Sequence, residues 1–349
     1  MSSPVPPVVF YGFGFLHHGP RAAFHGLAAQ LDQERVIDIT PGFMRRLPAP
    51  WRAPVLWRWL RYNEVRLRTL YGKKTRRRIH YFFPENTMFR AADWKGPHTL
   101  SATCHQPIDD FRQREGEPFY RDLLRSLRAC DAVVVQCSAD VEGYRAFLRG
   151  PRVEVIPLGV DASFFQPGDL APGARPDRIL TVGNWLRDYP TWADAVRRVH
   201  AQRPGAEFTV IANPDTLARA RAALGACPAP VRWLTGISDQ ALREEYQRTR
   251  LLYLPLENAM ANDALLEALA SGLPIVATDL PATRDYVPDG AGTRVPKGDG
   301  EAGANAILHL LDDPATATAM GRSARGHALA FLDWPVIVQQ YRALWRSLA

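Results

Sequence analysis

Short apolar runs alternate with stretches of helical periodicity along most of the chain. The runs predict buried β-strands, and the stretches between them, where apolar residues recur about every three to four positions, predict amphipathic helices. Strands that alternate with helices favour a parallel sheet covered by helices on both faces. In the first half of the chain the predicted strands lie at residues 8–14, 35–40, 78–84, 98–105, 131–138 and 153–159.

The same pattern begins again after a segment rich in proline and glycine. This segment, FFQPGDLAPGARPD at residues 164–177, has the composition of a linker. The strands predicted after it lie at residues 178–184, 207–212, 231–236, 251–256 and 273–279. We therefore expect an α/β protein with two doubly wound, Rossmann-like parallel-sheet domains, residues 1–165 and 166–331, that face a cleft. In such sheets ligands bind beyond the carboxyl ends of the strands.

The composition is that of a globular protein from a reducing compartment. The chain has 349 residues, 46% of them hydrophobic, and no stretch approaches the ~20 continuous apolar residues that span a bilayer. No charged residue precedes the first apolar run, so we expect no signal peptide. The four cysteines form no CxxC pair, which predicts neither a zinc site nor a disulfide framework and favours the cytoplasm; they are Cys104, Cys130, Cys137 and Cys227.

The formal net charge of +7 is concentrated in one segment. Residues 45–78 contain twelve lysines and arginines but one acid, Glu64, and aromatic residues are interspersed: Trp51, Trp57, Trp59, Tyr62 and Tyr71. A basic segment rich in tryptophan is typical of a surface that lies on an anionic membrane. The plainer alternative is a solvated helical face. We expect no nucleic-acid binding, because no nucleic-acid motif accompanies the charge.

A single carboxylate interrupts the apolar stretch ALLEALASGLPIVATD at residues 264–279. The stretch predicts a helix that begins at Asn262 or Asp263 and ends at Gly272, followed by a strand. Glu267 lies just beyond the first turn, and its side chain is expected to point back toward the helix start, where free N–H groups attract anions. It is either a surface residue of an amphipathic helix or an acceptor for vicinal hydroxyls such as those of a ribose, with the attached phosphates at the helix start.

The wider segment LPLENAMANDALLEALASGLPIVATD, residues 254–279, resembles the nucleotide-sugar site of the GT-B glycosyltransferases, specifically the retaining family 4. CDAVVVQCSADVEGYRAFL, VEVIPLGVDASFFQP and ILTVGNWLRDYPTWADAV are similar to other elements of that family in the same order. The final DWPVIVQQYRALW is similar to its closing helix, which implies that residues 332–349 pack back on the N-terminal domain. The resemblance is close over residues 98–349 and loose over 1–97.

This resemblance implies a donor site in the C-terminal domain. Glu267 would bind the ribose hydroxyls, and the family's nucleotide-sugar site corresponds here to Gly183, Asn184, Arg187, Asn262, Asp263, Ala264, Leu266 and Glu267. At Ala259 the family usually has a second glutamate that contacts the donor sugar, and Glu257 lies two residues too early to replace it.

The diphosphate loop at residues 183–190 also departs from the family pattern. Asn184 stands where an arginine is usual, and no lysine follows, so Arg187 is the cation expected to clamp the diphosphate through its planar fork. The alternative is a surface arginine paired with Asp188. Arg284 is a weaker candidate for the same role.

The N-terminal domain is expected to hold the acceptor. Gly12 and Gly14 end the first apolar run, between the first strand and the first helix, and permit close backbone approach to a sugar or phosphate. His17 and His18 come next and are either acceptor contacts or solvated loop residues. His105 ends a strand where family members often carry a histidine near the donor sugar; the alternative is a structural histidine. The spacing of Asp109 and Asp110 does not match a DxD metal site, and the resemblance implies no metal or cofactor.

We therefore predict an enzyme, a nucleotide-sugar-dependent hexosyltransferase that acts on an acceptor hydroxyl with retention of configuration. His105, Arg187 and Glu267 are its candidate catalytic residues. The basic segment suggests a lipid-linked or glycan acceptor at a membrane. The alternatives are a sugar-nucleotide epimerase, an inverting transferase of the same fold, or a non-catalytic binding scaffold.

Overall fold

A computed structural model describes residues 7–14, 19, 21–43, 49–72 and 76–348. Two compact units make up the chain: Met1–Gly159 with Trp334–Ala349, and Val160–Asp333. In the described residues each unit contains one six-stranded sheet in which all strands are parallel. The α/β fold expected from the alternating pattern is confirmed.

The sheet of the first unit has the strand order β2-β1-β3-β4-β5-β6. Its strands are β1 (Val9–Gly12), β2 (Arg35–Asp38), β3 (Arg78–Phe82), β4 (Thr99–Thr103), β5 (Ala132–Val135) and β6 (Arg152–Val155). Its helices are α1 (Ala23–Ala28), α2 (Ala49–Tyr71), α3 (Pro84–Thr87), α4 (Ile108–Arg114), α5 (Pro118–Arg128), α6 (Asp140–Leu148) and α14 (Trp334–Ser347). Every strand predicted in this part of the chain is present, although most are shorter than the apolar run that predicted them.

The sheet of the second unit has the order β12-β11-β10-β7-β8-β9. Its strands are β7 (Arg178–Val182), β8 (Glu207–Ile211), β9 (Val231–Leu234), β10 (Leu251–Leu254), β11 (Ile275–Thr278) and β12 (Gly292–Val295). Its helices are α7 (Tyr189–Gln202), α8 (Pro214–Leu224), α9 (Asp239–Arg248), α10 (Asp263–Ala270), α11 (Pro281–Tyr286), α12 (Gly300–Asp312) and α13 (Pro314–His327). The edge strand β12 was not predicted, because its short GTRV sequence is only half-buried and lacks an apolar run.

The last helix, α14, completes the first unit. His80, at the centre of β3, is fully buried and is bonded through its ring nitrogens to Ser101 and Thr103. From α14, the Trp345 indole N–H donates to His80 Nδ1 at 3.2 Å, and the Tyr341 hydroxyl lies 3.0 Å from Thr103 Oγ1. Burial lowers the pKa of His80 to about 3, so the ring is neutral and serves as part of the core.

Helix α2 carries the described part of the basic segment, while residues 44–48 and 73–75 lie outside the described residues. The single acid of the segment, Glu64, is turned inward, where its carboxylate accepts the backbone N–H groups of Phe89 and Arg90 at 3.1 and 2.8 Å. The outward face of the helix is therefore basic and apolar. It exposes Trp51, Arg52, Trp57, Arg58, Arg61, Tyr62, Val65, Arg66, Arg68 and Leu70. None of the helices in the described residues is long and apolar enough to cross a bilayer.

Candidate functional site

The strongest candidate site lies at the start of α10 in the second unit. Asn262 caps this helix, and its side-chain oxygen accepts the backbone N–H of Ala264 at 3.1 Å. Gly272 follows the helix with a φ of +65°, the left-handed conformation that glycine adopts without strain at a helix end. The helix predicted from the sequence is therefore present with the predicted boundaries, and Ala264 and Leu266 are buried within it.

Glu267 is buried, with 9% of its surface exposed, so the surface alternative does not hold. The phenol hydroxyl of Tyr246, on α9, donates a hydrogen bond to Glu267 Oε2 at 2.8 Å. Burial raises the pKa of the Glu267 carboxyl well above its usual value, and the charge of Asp263 raises it further. Oε1 has no hydrogen-bond partner among the described residues. A carboxylate with one bonded oxygen and one unused oxygen is suited to accept hydroxyl groups from a ligand.

Arg187 lies next to the start of this helix, but most of its donors are already in use. Its Nε donates to the carbonyl of Val182 at 2.8 Å and its Nη1 to that of Trp185 at 2.8 Å. Its Nη2 lies 3.4 Å from Asn262 Oδ1. Arg187 is buried rather than a surface partner of Asp188, and although burial lowers its pKa to about 10, it remains charged at neutral pH.

The loop that carries Arg187 depends on a glycine. Gly183 has a φ of +111°, and a Cβ there would lie 2.0 Å from Arg187 Nη2. The side chain of Asn184 accepts the backbone N–H of Asn213 at 2.6 Å, so this residue joins the ends of β7 and β8. The structure therefore brings Gly183, Arg187 and Asn262 together and gives Asn184 a bracing role.

A second loop of the same unit runs beside the first. The backbone N–H of Glu257 donates to the carbonyl of Leu186 at 2.9 Å, and the Glu257 side chain is exposed. Ala259 is half-buried. Arg284, the weaker candidate for the diphosphate, forms a two-point pair with Asp279, with distances of 2.7 and 2.8 Å. Because both ends of that fork already hold a carboxylate, Arg187 is the better-placed cation.

In the first unit, the glycines at and after the end of β1 accommodate neighbouring side chains. A Cβ on Gly12 would lie 2.9 Å from the Phe24 ring, and one on Gly14 would lie 2.1 Å from the His25 ring. These contacts explain both glycines by packing within the unit, whether or not a ligand approaches them. His17 and His18 lie outside the described residues.

His105 follows β4 and packs against two aromatic residues at the end of β3, Phe82 and Phe83. Its ring centroid lies 3.9 Å from that of Phe83 and 4.5 Å from that of Phe82. Its backbone N–H donates to Glu85 Oε1, and the N–H of Gln106 donates to the same oxygen at 3.1 Å. Glu85 is buried, and burial raises its pKa to about 7.

The sequence did not point to Glu85 or to Tyr246. Both contact residues that are distant along the chain. Glu85 accepts a hydrogen bond from the backbone of Gln106, after the neighbouring strand β4, and Tyr246 donates one to Glu267 on a different helix. For Glu85 a signal was available, because a charged residue directly after a strongly apolar strand lies where ligands bind in parallel sheets. Tyr246 had no comparable local signal, since a tyrosine in a helix is usually part of the core.

Known proteins resemble this chain in sequence and in fold. Residues 176–313 match the family Glycosyl transferases group 1. The D-inositol 3-phosphate glycosyltransferase of Mycolicibacterium paratuberculosis is 34% identical over 198 residues, which cover 52% of this chain and 44% of that protein. The enzyme of the same name from Stackebrandtia nassauensis is 28% identical over 282 residues, which cover 72% of this chain and 63% of that protein. The matched part thus spans about half to two thirds of these relatives' length.

Among solved structures, sucrose-phosphate synthase from Thermosynechococcus elongatus aligns with a TM-score of 0.74 at 20% identity over 98% of this chain and 99% of that one. The Anabaena protein HepE, in complex with UDP and glucose, aligns with a TM-score of 0.70 at 15% identity over 97% of this chain and 99% of that one. The fold is therefore that of the GT-B class of glycosyltransferases. The second unit carries the match to the Glycosyl transferases group 1 family, which covers residues 176–313.

Proposed function

We propose that this chain transfers a sugar from a nucleoside-diphosphate sugar to an acceptor hydroxyl. The observation that carries the proposal is the Glu267 carboxylate, which is buried just beyond the capped start of α10 and, among the described residues, is bonded through only one of its oxygens. Burying such a group is costly unless a polar partner meets it. The ribose of a nucleotide supplies that partner, and the helix start supplies N–H groups for the phosphates.

Charge stabilisation at the leaving group is the main catalytic contribution of the second unit. When the bond between the sugar carbon and the phosphate oxygen breaks, its electron pair moves to the diphosphate. Fixed donors aimed at that charge lower the barrier without reorganising. The N–H groups at the start of α10 are such donors, and Arg187 adds a positive charge beside them. No metal or cofactor enters this scheme, so activity should survive EDTA.

The acceptor is assigned to the first unit. Its hydroxyl oxygen forms the new bond to the sugar carbon, and its proton passes to the leaving phosphate, so the protein needs no dedicated base. Attack on the same face as the departing phosphate gives retention of configuration. His105, whose backbone N–H donates to Glu85 just after β4, is the candidate catalytic residue of this unit.

We also propose that the outward face of α2 rests on an anionic membrane, where a lipid-linked acceptor would be found. Five exposed arginines lie on this face and the only acid of the segment is buried, so the charge complements anionic lipid. Binding to vesicles with and without phosphatidylglycerol tests the idea. Trp51→Ala should weaken binding, whereas Trp185→Ala, a change at an equally exposed tryptophan of the second unit, should not; both side chains are 63% exposed. Equal binding to neutral vesicles, or none, would contradict it.

A thermal-shift screen against UDP, GDP, ADP and dTDP tests the donor site. A nucleotide at 100 times its dissociation constant should stabilise the protein by roughly 2.7 kcal/mol. Stabilisation by one nucleotide, lost in Glu267→Ala, would support the proposal and identify the base. If none stabilises the wild type, the scaffold alternative is favoured. Release of the nucleoside diphosphate only when an acceptor is added distinguishes a transferase from an epimerase.

A further inference from the structure

We propose that Tyr246 is a positioning residue that orients Glu267 and thereby sets the preference for ribonucleotides over 2′-deoxynucleotides. This inference rests on the proposed donor site, because it assigns a role to a residue that touches Glu267 and not the ligand. Both residues belong to the second unit, on α9 and α10 respectively.

The geometry gives the phenol hydroxyl one principal acceptor. Its oxygen lies 2.8 Å from Glu267 Oε2 and 3.5 Å from the carbonyl oxygen of Ala264. A hydroxyl has one proton to donate, and the shorter contact receives it. The Tyr246 ring is fully buried and meets the Phe165 ring edge-on, with centroids 5.9 Å apart. The packing around the ring thus holds the hydroxyl in place.

This hydrogen bond opposes the other influences on Glu267. Burial raises the pKa of the carboxyl, and the charges of Asp263 and Asp239 raise it further, while the bond from Tyr246 lowers it. Burial and the nearby carboxylate keep the tyrosine itself protonated, because both raise its pKa well above the usual value. Tyr246 is therefore a permanent donor that favours the ionised carboxylate.

Orientation and ionisation both matter for recognising a ribose. An ionised carboxylate accepts hydrogen bonds only, and vicinal hydroxyls offer two donors. With Oε2 held by Tyr246, Oε1 is left for the ligand, and the carboxyl plane cannot turn freely. Without Tyr246 the ionised form of the carboxyl is less favoured and its plane is no longer fixed, so the advantage of a 2′-hydroxyl should shrink.

The test compares UDP with 2′-deoxy-UDP in the wild type and in Tyr246→Phe, using titration calorimetry. If the screen selects GDP or ADP, the corresponding ribo and deoxy pair is used. Loss of a hydrogen bond to a charged group should weaken ribonucleotide binding about ten-fold. Binding of the deoxynucleotide should change less than about two-fold, because it lacks the hydroxyl that the oriented carboxylate recognises.

Tyr253→Phe is the matched control. Tyr253 is also fully buried in the second unit, and its hydroxyl has no hydrogen-bond partner among the described residues. Its removal should leave the ribo-to-deoxy ratio unchanged. A second check uses Glu267→Gln as the background, in which Tyr246→Phe should have little further effect on that ratio, since interacting residues are not additive.

The outcomes separate this inference from the proposed function. If the wild type binds no nucleotide, both are overturned. If it binds a ribonucleotide and Tyr246→Phe weakens both nucleotides equally, the donor site stands and Tyr246 is only part of the core. Selection of dTDP in the screen would also overturn the inference, because that nucleotide has no 2′-hydroxyl.

Discussion

Among the described residues, Glu85 in the first unit and Glu267 in the second are both buried beside candidate site residues, and the two are held differently. Glu85, in the first unit, uses Oε1 to accept the backbone N–H groups of His105 and Gln106, while its Oε2 is buried with no hydrogen-bond partner among the described residues. Glu267, in the second, is bonded by a side chain, that of Tyr246. Backbone partners make Glu85 a structural support for the loop that carries His105 and Gln106, whereas a side-chain hydroxyl orients Glu267.

This difference shows that burial alone does not identify a ligand-binding carboxylate. Both glutamates are nearly inaccessible, and burial raises the pKa of both. What distinguishes them is the kind of partner, which is backbone N–H for Glu85 and a side-chain hydroxyl for Glu267. The following experiments test that distinction and the loop and helix cap beside Glu267, in order of decreasing expected effect.

The largest expected effect is on the pH dependence of folding stability. Burial raises the pKa of Glu85 from 4.5 to about 7, so the folded state holds a proton that the unfolded chain has released. The stability contributed by this group is complete below pH 4.5 and is lost as the pH rises through 7. The loss approaches about 3 kcal/mol for a shift of this size.

Urea unfolding of the wild type and Glu85→Gln between pH 5 and 8 measures this loss. The amide does not titrate, so the free energy of unfolding of the variant should rise relative to that of the wild type as the pH rises. Burial also raises the pKa of Glu64 to about 7, but Glu64 is common to both proteins and cancels in the difference. Parallel curves would mean that Glu85 is not protonated in the folded state.

Gly183→Ala should produce the second-largest effect. The new Cβ would lie 2.0 Å from Arg187 Nη2, at a φ of +111° that suits glycine. We expect a loss of about 2 kcal/mol in the free energy of unfolding, together with weaker nucleotide binding as Arg187 is displaced. Gly205→Ala is the control, because a Cβ there meets no atom within 4 Å. If the two variants unfold at the same urea concentration, the loop does not require a glycine at position 183.

The third experiment compares the two carboxylates directly through nucleotide affinity. Glu267→Gln should weaken binding about ten-fold, because a neutral amide is a poorer acceptor for hydroxyl groups than a carboxylate. Glu85→Gln should leave the affinity of the nucleotide within about two-fold, since it supports the other unit. Calorimetric titration with the nucleotide found in the screen gives both values. Equal losses would remove the distinction between the two sites.

Two asparagine caps give the smallest and most specific comparison. Asn262 caps α10 and Asn213 caps α8, and each accepts a backbone N–H of its own helix. Replacement of either by alanine should cost about 1 kcal/mol of stability. Only Asn262 also lies against Arg187, so only Asn262→Ala should additionally weaken nucleotide binding. Loss of affinity in Asn213→Ala would show that general destabilisation, and not the cap at the site, is responsible.

Periodicity was sufficient to predict most of the fold. The strands of both sheets except β12 followed from apolar runs, because strands buried on both faces read as continuous apolar segments. The observed division at Gly159 and Val160 lies a few residues before the predicted boundary at residue 165. The composition does not change sharply where the chain enters the second unit. The boundary was therefore predicted from the proline-rich stretch that follows, a few residues too late.

The candidate site was predictable only where its members lie close together in sequence. The relation of Asn262 to Glu267 depends on one helix and could be read directly. The hydrogen bonds of the Arg187 side chain could not be predicted in this way, because the carbonyls of Val182 and Trp185 become its partners only when the loop folds. Tyr246 lay beyond prediction for the same reason, since its contact with Glu267 joins two helices.

The placement of α14 has a consequence for the order in which the protein is made. During synthesis the ribosome releases all of residues 160–333 before Trp334–Ser347, which complete the first unit. Until Tyr341 and Trp345 emerge, the contacts that cover His80 and Thr103 are missing, and that side of the first sheet stays open. Domains generally fold as units during synthesis. The first unit, whose synthesis starts before that of the second, can therefore complete its folding only after the second unit has been made. The nascent first unit is thus the one that most needs protection from aggregation.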